Sequence, residues 1–349
     1  MRYRTLGGTG ITVSAYCLGA MMLGAWGNPD HEEGVRIVHA ALDAGINFVD
    51  TADVYSRGES EEIVAKALKG RRDDVVLATK VHGTMGAGEN HSGNSRRWIR
   101  HEVEQSLRRL GTDWIDLYQI HRPDPRTDIE ETLSVLTDLI REGKVRAIGC
   151  STFPAESIVE AHWAAERRGL ERFRCEQPPY SLFARGIEAG VLPVCERYGM
   201  GVITWSPLAG GWLTGRYRHG EEIDLTSGRA SRIPQRFDPS LPANQRKLDL
   251  VEQLETVAAD AGVPLRHLAL AFVVCHPAVT SAIIGPRTME QLTDLLSGST
   301  VALDDATLDR LDEIVPPGET VNPADAGWQS ESLTDLWRRR RPPERRAAG

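Results

Sequence analysis

Short apolar segments alternate with longer amphipathic segments along almost the whole chain. The short segments are rich in Val, Ile and Ala and are apolar nearly throughout, as strands buried in a parallel sheet are. Eight of them follow one another: YCLGAM (16–21), INFVDTA (46–52), VVLATKV (75–81), WIDLYQIH (114–121), VRAIGCSTF (145–153), RFRCEQP (172–178), GVITWSP (201–207) and VTSAIIG (279–285). The pattern therefore predicts eight parallel strands.

The segments between these strands have the period of amphipathic helices. The clearest is SRRWIRHEVEQSLRRLG (95–111), whose apolar residues share one face before a terminal glycine. IEETLSVLTDLIREG (129–143) and AESIVEAHWAAERRG (155–169) repeat this design. A further helix is predicted for LDDATLDRLDEI (303–314).

Eight strand–helix units predict an α/β fold of the closed (β/α)8 TIM-barrel type rather than an open doubly wound sheet. No GxGxxG follows the first strand, which weighs against the open dinucleotide-binding sheet. The opening RTLGGTGITVS predicts an N-terminal β-hairpin that turns on Gly7, Gly8 and Gly10. The helix at 303–314 is then an extra C-terminal element.

No linker rich in Pro or Ser divides the chain, so we predict a single domain over residues 1–318 and a C-terminal extension over 319–349. The Arg-rich end of that extension, Trp337 to Arg346, predicts a flexible tail. Residues 209–242 are rich in Gly, Arg and Pro and predict a long loop of functional importance.

Composition restricts the partners and the compartment. The 349 residues are 41% hydrophobic and 26% charged, and the net charge of −8 argues against nucleic acid as a partner. There is no N-terminal signal core and no apolar run long enough to span a membrane, so we expect a cytoplasmic protein without a membrane partner. The five cysteines are never spaced as CxxC, which predicts free, mostly buried thiols and no metal site.

Four residues that can carry chemistry stand at the ends of successive predicted strands. Asp50 ends the second strand and Tyr55 follows it, Lys80 lies near the end of the third, and His121 ends the fourth. Each alone has an ordinary structural explanation, such as a turn, a solvated amine or a hydrogen-bonded core imidazole. In a barrel, however, all four would meet at the carboxyl-end rim, where barrel active sites lie, and this favours a catalytic interpretation.

The motifs DTADVY, LATK and LYQIHRPD give the chain a resemblance to a known family, the aldo-keto reductases, which are NAD(P)H-dependent barrel oxidoreductases. The resemblance extends from the N-terminal hairpin to MEQLTDLL after the eighth strand. It implies hydride transfer to a carbonyl carbon, with Tyr55 as the proton donor to the carbonyl oxygen. Lys80, Asp50 and His121 would support it, and we call these four residues the tetrad.

Elementary chemistry explains why such a set is useful. Hydride addition to a carbonyl leaves an alkoxide, which needs a proton and a positive environment. The ammonium of Lys80 would stabilise the phenolate that remains after Tyr55 gives up its proton, and Asp50 would keep Lys80 charged. The imidazole of His121 could donate a hydrogen bond to the same oxygen.

The resemblance also implies a set of cofactor-binding residues: Ser151, Thr152, Gln177, Trp205, Ser206, Leu208, Gly210, Gly285, Arg287 and Gln291. The resemblance implies that Ser151 and Gln177 hold the nicotinamide carboxamide and that Trp205 stacks on the nicotinamide ring. Thr152 belongs to the same group but stands where the family commonly has Asn. Ser206, Leu208 and Gly210 would contact the pyrophosphate. GPRTMEQ opens a helix, a natural phosphate site, and the charge and fork geometry of Arg287 favour NADPH over NADH. Leu295 departs from the Asn that often contacts the adenine in the family.

The substrate should be a small carbonyl compound recognised by the loops around the rim. Candidate pocket residues are Trp26, Met85 and Arg122, with Arg216 and Tyr217 in the long loop. Their mixed aromatic and basic character would admit a ring carbonyl, a sugar or a sugar nucleotide.

Three other functions remain open. The chain also resembles aldo-keto reductases that reduce the keto or enoyl group of nucleotide-linked deoxysugars. Potassium-channel β subunits share the fold and the tetrad and act largely as cofactor-bound regulatory modules. An aldolase that uses Lys80 as a Schiff base is a third possibility, which Asp50 and Tyr55 beside Lys80 disfavour. The oligomeric state, monomer or homo-oligomer, stays open.

Overall fold

A closed barrel of parallel strands forms the centre of the protein in a computed structural model, which describes residues 1–226, 228–330 and 333. An antiparallel hairpin of β1 (Tyr3–Thr5) and β2 (Thr12–Ser14) precedes it. The barrel strands are β3 (Tyr16–Gly19), β4 (Phe48–Asp50), β5 (Val76–Val81), β6 (Ile115–Ile120), β7 (Val145–Ser151), β8 (Cys175–Gln177), β9 (Gly201–Thr204) and β10 (Ser281–Ile284). Each strand pairs with the next, and β10 pairs with β3 to close the barrel, so the (β/α)8 prediction is confirmed.

Helices connect successive strands and cover the outside of the barrel. In the described part of the chain they are α1 (His31–Asp43), α2 (Glu59–Leu68), α3 (Arg96–Leu110), α4 (Ile129–Arg141), α5 (Ala155–Arg168), α6 (Val191–Tyr198), α7 (Gly228–Arg232), α8 (Pro242–Asp260), α9 (Leu265–Cys275), α10 (Met289–Ser297) and α11 (Asp305–Ile314). The four helices predicted explicitly correspond to α3, α4, α5 and α11, with ends within two residues of the prediction.

Helix α3 illustrates how the sequence directs these elements. The hydroxyl of Ser95 accepts a hydrogen bond from the backbone N–H of Trp98, which caps the amino end. Gly111 adopts a left-handed conformation with φ 61° and ends the helix. The apolar stripe between them, from Trp98 to Leu110, is buried against the barrel.

The hairpin plugs the amino end of the barrel. Leu6 and Val13 join an interior cluster with one residue from each of seven barrel strands: Cys17, Phe48, Ala78, Leu117, Ala147, Cys175 and Ile203. Because this end is filled with side chains, a ligand can enter only at the opposite rim, where the strands end.

Two segments cover part of that rim. The segment 206–241 contains the five-residue helix α7 and short 3₁₀ turns, in line with the predicted long loop. After α11 the chain returns over the barrel as the C-terminal segment, residues 316–328, where Val321 N donates to Phe183 O at 2.9 Å. A Cβ atom at Gly327 would lie 2.5 Å from Trp205 Cζ2, so this segment passes directly against the Trp205 indole.

Further sequence expectations concern cysteines, membrane spans and the tail. Four cysteines are free and buried, and Cys275 is free and exposed. Among the described helices, none alone is long and apolar enough to cross a membrane. Helices α8 and α9 reach that length and hydropathy only together, and the angle between them is 87°. The Arg-rich tail from Trp337 to Arg346 lies outside the described residues.

Candidate functional site

The tetrad side chains lie together at the carboxyl-end rim of the barrel. Lys80 Nζ is 2.6 Å from Asp50 Oδ1 and 3.3 Å from the hydroxyl oxygen of Tyr55. The rings of Tyr55 and His121 meet edge to face, with centroids 5.7 Å apart. Residues separated by up to 71 positions in the chain (50 to 121) are thus neighbours, because parallel strands all end at the same rim.

Two side-chain amides donate hydrogen bonds to the carboxylate oxygen of Asp50 that does not contact Lys80. Asp50 Oδ2 accepts hydrogen bonds from Gln177 Nε2 at 2.9 Å and from Gln119 Nε2 at 3.2 Å. Gln119 was not predicted from the sequence, although a buried amide near the end of the mostly apolar strand β6 was an available signal. The buried carboxylate therefore has partners at both oxygens, which fixes its orientation.

Lys80 is a fully buried cation whose ammonium group has three hydrogen-bond acceptors. Its side chain is 0% exposed, and Nζ also donates to Thr51 O at 2.7 Å. Burial by itself lowers the pKa of Lys80, but Asp50 and Tyr55 oppose it, and the net pKa is raised above its ordinary value. The amine therefore stays charged at neutral pH beside the phenol.

The surroundings of His121 disfavour its charged form, whereas those of Lys80 favour the charged form. Burial lowers its pKa well below the ordinary value, and the neighbouring cations Arg122 and Lys80 lower it further. The imidazole is therefore neutral at pH 7 and has one N–H to donate. It can polarise an oxygen placed near Tyr55 without competing as a charged acid.

Backbone strain is concentrated at the same rim. The described non-glycine residues with positive φ are Ser56 (48°), Arg57 (58°), Thr152 (60°), Ser206 (56°) and Ala209 (50°). All of them lie in the segments that follow β4, β7 and β9. Such conformations cost about 1–3 kcal/mol each and tend to occur where function requires them, so these three loops are candidates for ligand contact.

The predicted nicotinamide-binding residues form one group at the ends of β7, β8 and β9. Ser151 Oγ and Thr152 N both donate to Gln177 O, at 2.8 and 3.1 Å. Trp205 pairs its backbone with Pro179 beside them. The guanidinium carbon of Arg122 is 5.8 Å from the Trp205 ring centroid.

Two of the predicted pyrophosphate contacts, Ser206 and Gly210, lie beside a cation that the sequence analysis missed. Arg229 Nη1 donates to Ser206 Oγ at 2.9 Å, and its other described hydrogen bond goes to the sulfur of Met21. Burial and the nearby Arg236 lower the pKa of Arg229 to about 10, so it remains charged at pH 7. A half-buried cation whose described side-chain hydrogen bonds all go to neutral groups, beside the left-handed turn that contains Gly210, fits a phosphate group.

The two residues predicted in the long loop, Arg216 and Tyr217, differ in their exposure. Arg216, which was named from the sequence, is exposed, and its guanidinium carbon lies 5.6 Å from the Tyr217 ring centroid. Tyr217 packs against Trp212 and Phe237. Leu208 begins the turn, and its partly buried side chain packs on the core. Composition alone indicated an Arg-rich loop but not which arginine points inward.

The amino end of α10 carries the remaining predicted cofactor residues. Thr288 caps the helix by accepting from Gln291 N at 3.2 Å, and Arg287 N donates to Gln291 Oε1 at 2.8 Å. Asn28 Nδ2 donates to Arg287 O at 2.9 Å and ties this turn to the loop after β3. The exposed Gly285 precedes it, so backbone amides and Arg287 are grouped at one helix end.

The departure at Leu295 has a structural explanation. Leu295 is buried in the hydrophobic core, and Asp294 accepts a hydrogen bond from Arg266 Nη2 at 2.6 Å. Both side chains therefore serve the packing of α10.

The predicted substrate-pocket residues approach the tetrad to different degrees. The Trp26 ring centroid lies 6.0 Å from that of Tyr55, and Arg122 Nη1 lies 3.4 Å from Ser151 Oγ. Met85 is half-buried in the loop after β5, whose Gly83 packs close to Val54.

Comparison with known proteins gives a consistent result. The model described as "Aldo/keto reductase family" matches residues 15–316. The uncharacterized oxidoreductase YrpG of Bacillus subtilis is 39% identical over 91% of this chain and 97% of its own length. A probable voltage-gated potassium channel subunit beta of Arabidopsis thaliana is 35% identical (90% and 97%), and the aldo-keto reductase YhdN of B. subtilis is 36% identical (87% and 91%).

Proposed function

Because the chain belongs to the aldo-keto reductase family of oxidoreductases, we propose that it transfers a hydride from NADPH to the carbonyl carbon of an aldehyde or ketone. The observation that carries the proposal is the continuous contact from Asp50 through Lys80 to Tyr55, at 2.6 and 3.3 Å. A carboxylate, a buried ammonium and a phenol in contact in this order can supply a proton to an alkoxide.

NADPH, when bound, supplies the hydride. As the C–H bond forms, the carbonyl π electrons move to oxygen, and Tyr55 donates its hydroxyl proton there to give an alcohol. Lys80 stabilises the resulting phenolate, and Asp50 with its two amide donors holds Lys80 in place. The neutral His121 donates its N–H to the same oxygen and aligns the carbonyl.

The residues of this chain suit NADPH as the cofactor. Ser151, Gln177 and Trp205 would hold and stack the nicotinamide. Ser206 and Arg229 would bind the pyrophosphate, since Arg229 is charged and its described partners are neutral. Arg287 at the amino end of α10 would bind the 2′-phosphate.

The test is NADPH oxidation with a nitrobenzaldehyde and other carbonyl substrates, measured for the wild type and for Tyr55→Phe. We expect Tyr55→Phe to lower kcat by about 10²–10⁴, the usual contribution of a general acid. The affinity for NADPH, followed by tryptophan fluorescence quenching, should be nearly unchanged.

The matched control is Tyr3→Phe, which removes a phenolic hydroxyl at the other end of the barrel, where it bonds to Gly45 O. This control should keep wild-type kcat. Near-normal turnover in Tyr55→Phe would contradict the assignment of Tyr55 as the proton donor.

A second function is supported by the relatives named as potassium channel β subunits. A regulatory module would bind NADPH but would turn over no substrate in the carbonyl panel. Including a nucleotide-linked deoxysugar in the same panel tests whether the physiological substrate is a sugar nucleotide.

A further inference from the structure

The turn that carries Tyr55 is strained in an unusual way. Ser56, Arg57 and Gly58 all have positive φ, at 48°, 58° and 96°. Glycine adopts such angles without cost, whereas serine and arginine do not. Strained positions of this kind tend to lie at functional sites, so the contacts of these side chains bear on the site around Tyr55.

The Ser56 hydroxyl makes a specific contact with the loop after β3. Ser56 Oγ accepts a hydrogen bond from the backbone N–H of Trp26 at 3.0 Å. The neighbouring Ala25 N donates to Glu59 Oε2 at 2.8 Å, so two successive amides of one loop are bound by the other. The contact is close, because a Cβ atom at Gly24 would lie 3.1 Å from Ser56 Cβ.

This contact determines where the Trp26 indole lies. Trp26 is half-buried, and its ring centroid is 6.0 Å from that of Tyr55 with an interplanar angle of 54°. Arg232 supports the indole with its guanidinium carbon 4.8 Å from the ring centroid and with a bond to Trp26 O at 3.4 Å. Tyr55 and Trp26 thus form an aromatic pair at the candidate proton donor.

We propose that Ser56 is a positioning residue that holds Trp26 beside Tyr55, and that the site therefore prefers carbonyl substrates whose carbonyl is attached to an aromatic ring. The proposal rests on the proposed function. A planar ring bound next to Tyr55 can pack against the indole while its carbonyl oxygen reaches the phenol, whereas a short aliphatic chain cannot use this surface.

The test compares kcat/KM for 4-nitrobenzaldehyde and propanal in the wild type, Ser56→Gly and the matched control Arg57→Gly. Ser56→Gly removes the hydroxyl and relieves strain, and it should lower the aromatic-to-aliphatic ratio about tenfold, the effect of losing one hydrogen bond and one aromatic contact. Arg57→Gly relieves strain at the next position, which is exposed, and should keep the ratio. An unchanged ratio in Ser56→Gly, or an equal fall in both variants, would overturn the proposal.

A double-mutant cycle identifies Trp26 as the group through which Ser56 acts. Trp26→Ala should lower the ratio at least as much as Ser56→Gly, and the double variant should resemble Trp26→Ala alone. Additive effects would mean that Ser56 acts by another route. The KM for NADPH should stay unchanged in all three variants, since a general distortion of the rim would raise it.

A readout independent of turnover separates this proposal from the proposed function. In protein labelled with 5-fluorotryptophan, the fluorine resonance of Trp26 is assigned by its loss in Trp26→Phe. It should shift in Ser56→Gly and stay in place in Arg57→Gly. If the wild type reduces no member of the carbonyl panel, the proposed function is wrong, and the resonance still decides whether Ser56 positions Trp26.

Discussion

At the scale of single residues, Glu176 shows how burial changes a carboxyl group. Its side chain is 0% exposed in strand β8, Oε1 accepts from Phe153 N at 3.1 Å, and Oε2 has no partner among the described residues. Burial raises the pKa of Glu176 from 4.5 to about 7, and the hydrogen bonds around it only partly oppose the shift. The folded protein therefore keeps a proton that the unfolded chain releases at a lower pH.

This shift predicts a pH-dependent stability. Because the pKa of Glu176 is raised in the folded state, its protonated carboxyl stabilises the fold fully below pH 4.5. This stabilisation is lost as the pH rises through about 7. Glu176→Gln has no proton to lose, so its stability relative to the wild type should grow by up to about 3 kcal/mol between pH 4.5 and pH 8. Urea denaturation at both pH values measures this, with the exposed Glu222→Gln as control. A difference that does not change with pH would contradict the expectation.

The residue scale also shows why some site residues were predictable and others were not. Asp50 and His121 end apolar strands, and a polar residue in that place is visible in the sequence. Gln119 and Arg229 are visible only as polar residues within a strand and within a loop. Their partners, Asp50 and Ser206, are fixed by the direction of each side chain in the folded chain.

At the scale of elements, α10 is the part of the structure that would distinguish NADPH from NADH under the proposed function. Its amino end combines the positive end of the helix dipole with the half-buried Arg287. A 2′-phosphate placed there would meet the positive end of the helix dipole and a guanidinium fork. The sequence analysis predicted that a helix begins here, and Thr288, which caps α10 in the structure, is the kind of local signal that marks a helix start.

Arg287→Ala should therefore weaken NADPH binding about tenfold or more, while NADH binding changes less than about twofold. Isothermal titration with each cofactor measures the two dissociation constants. The control is Arg310→Ala on α11, whose exposed arginine pairs with Asp260 of α8 at 2.9 Å. An equal loss for both cofactors, or a native preference for NADH that Arg287→Ala leaves intact, would show that Arg287 does not bind the 2′-phosphate.

At the scale of the whole molecule, polar contacts bind the C-terminal segment, residues 316–328, across the rim. Asp325 Oδ2 lies 2.6 Å from Nζ of the buried Lys247, and Asp325 Oδ1 lies 3.4 Å from Nε of Arg236. Asn322 Nδ2 donates to Gln235 O at 3.0 Å and to Asn244 Oδ1 at 2.8 Å. The segment after α11 is thus bound to the loop and helix that follow β9.

Asp325→Ala should destabilise the protein by about 3–5 kcal/mol, because it leaves the buried ammonium of Lys247 without its anion. The double variant Lys247→Met/Asp325→Ala should recover most of that loss, since an apolar side chain of similar length needs no counter-ion. Thermal and urea denaturation measure both. A double variant as unstable as Asp325→Ala would show that the segment is held by contacts other than this ion pair.

The amino-acid sequence by itself determined the order of strands and helices, because hydrophobic period, capping residues and glycine stops act within a few neighbouring positions. It also determined that Asp50, Tyr55, Lys80 and His121 share one rim, because parallel strands separated by helices must all end on the same side. The tertiary structure alone decided which side chains meet across that rim. Gln119 reaches Asp50, Arg229 reaches Ser206 and Ser56 binds Trp26. These contacts join positions 23 to 69 residues apart, and only the folded path of the chain around the rim brings them together.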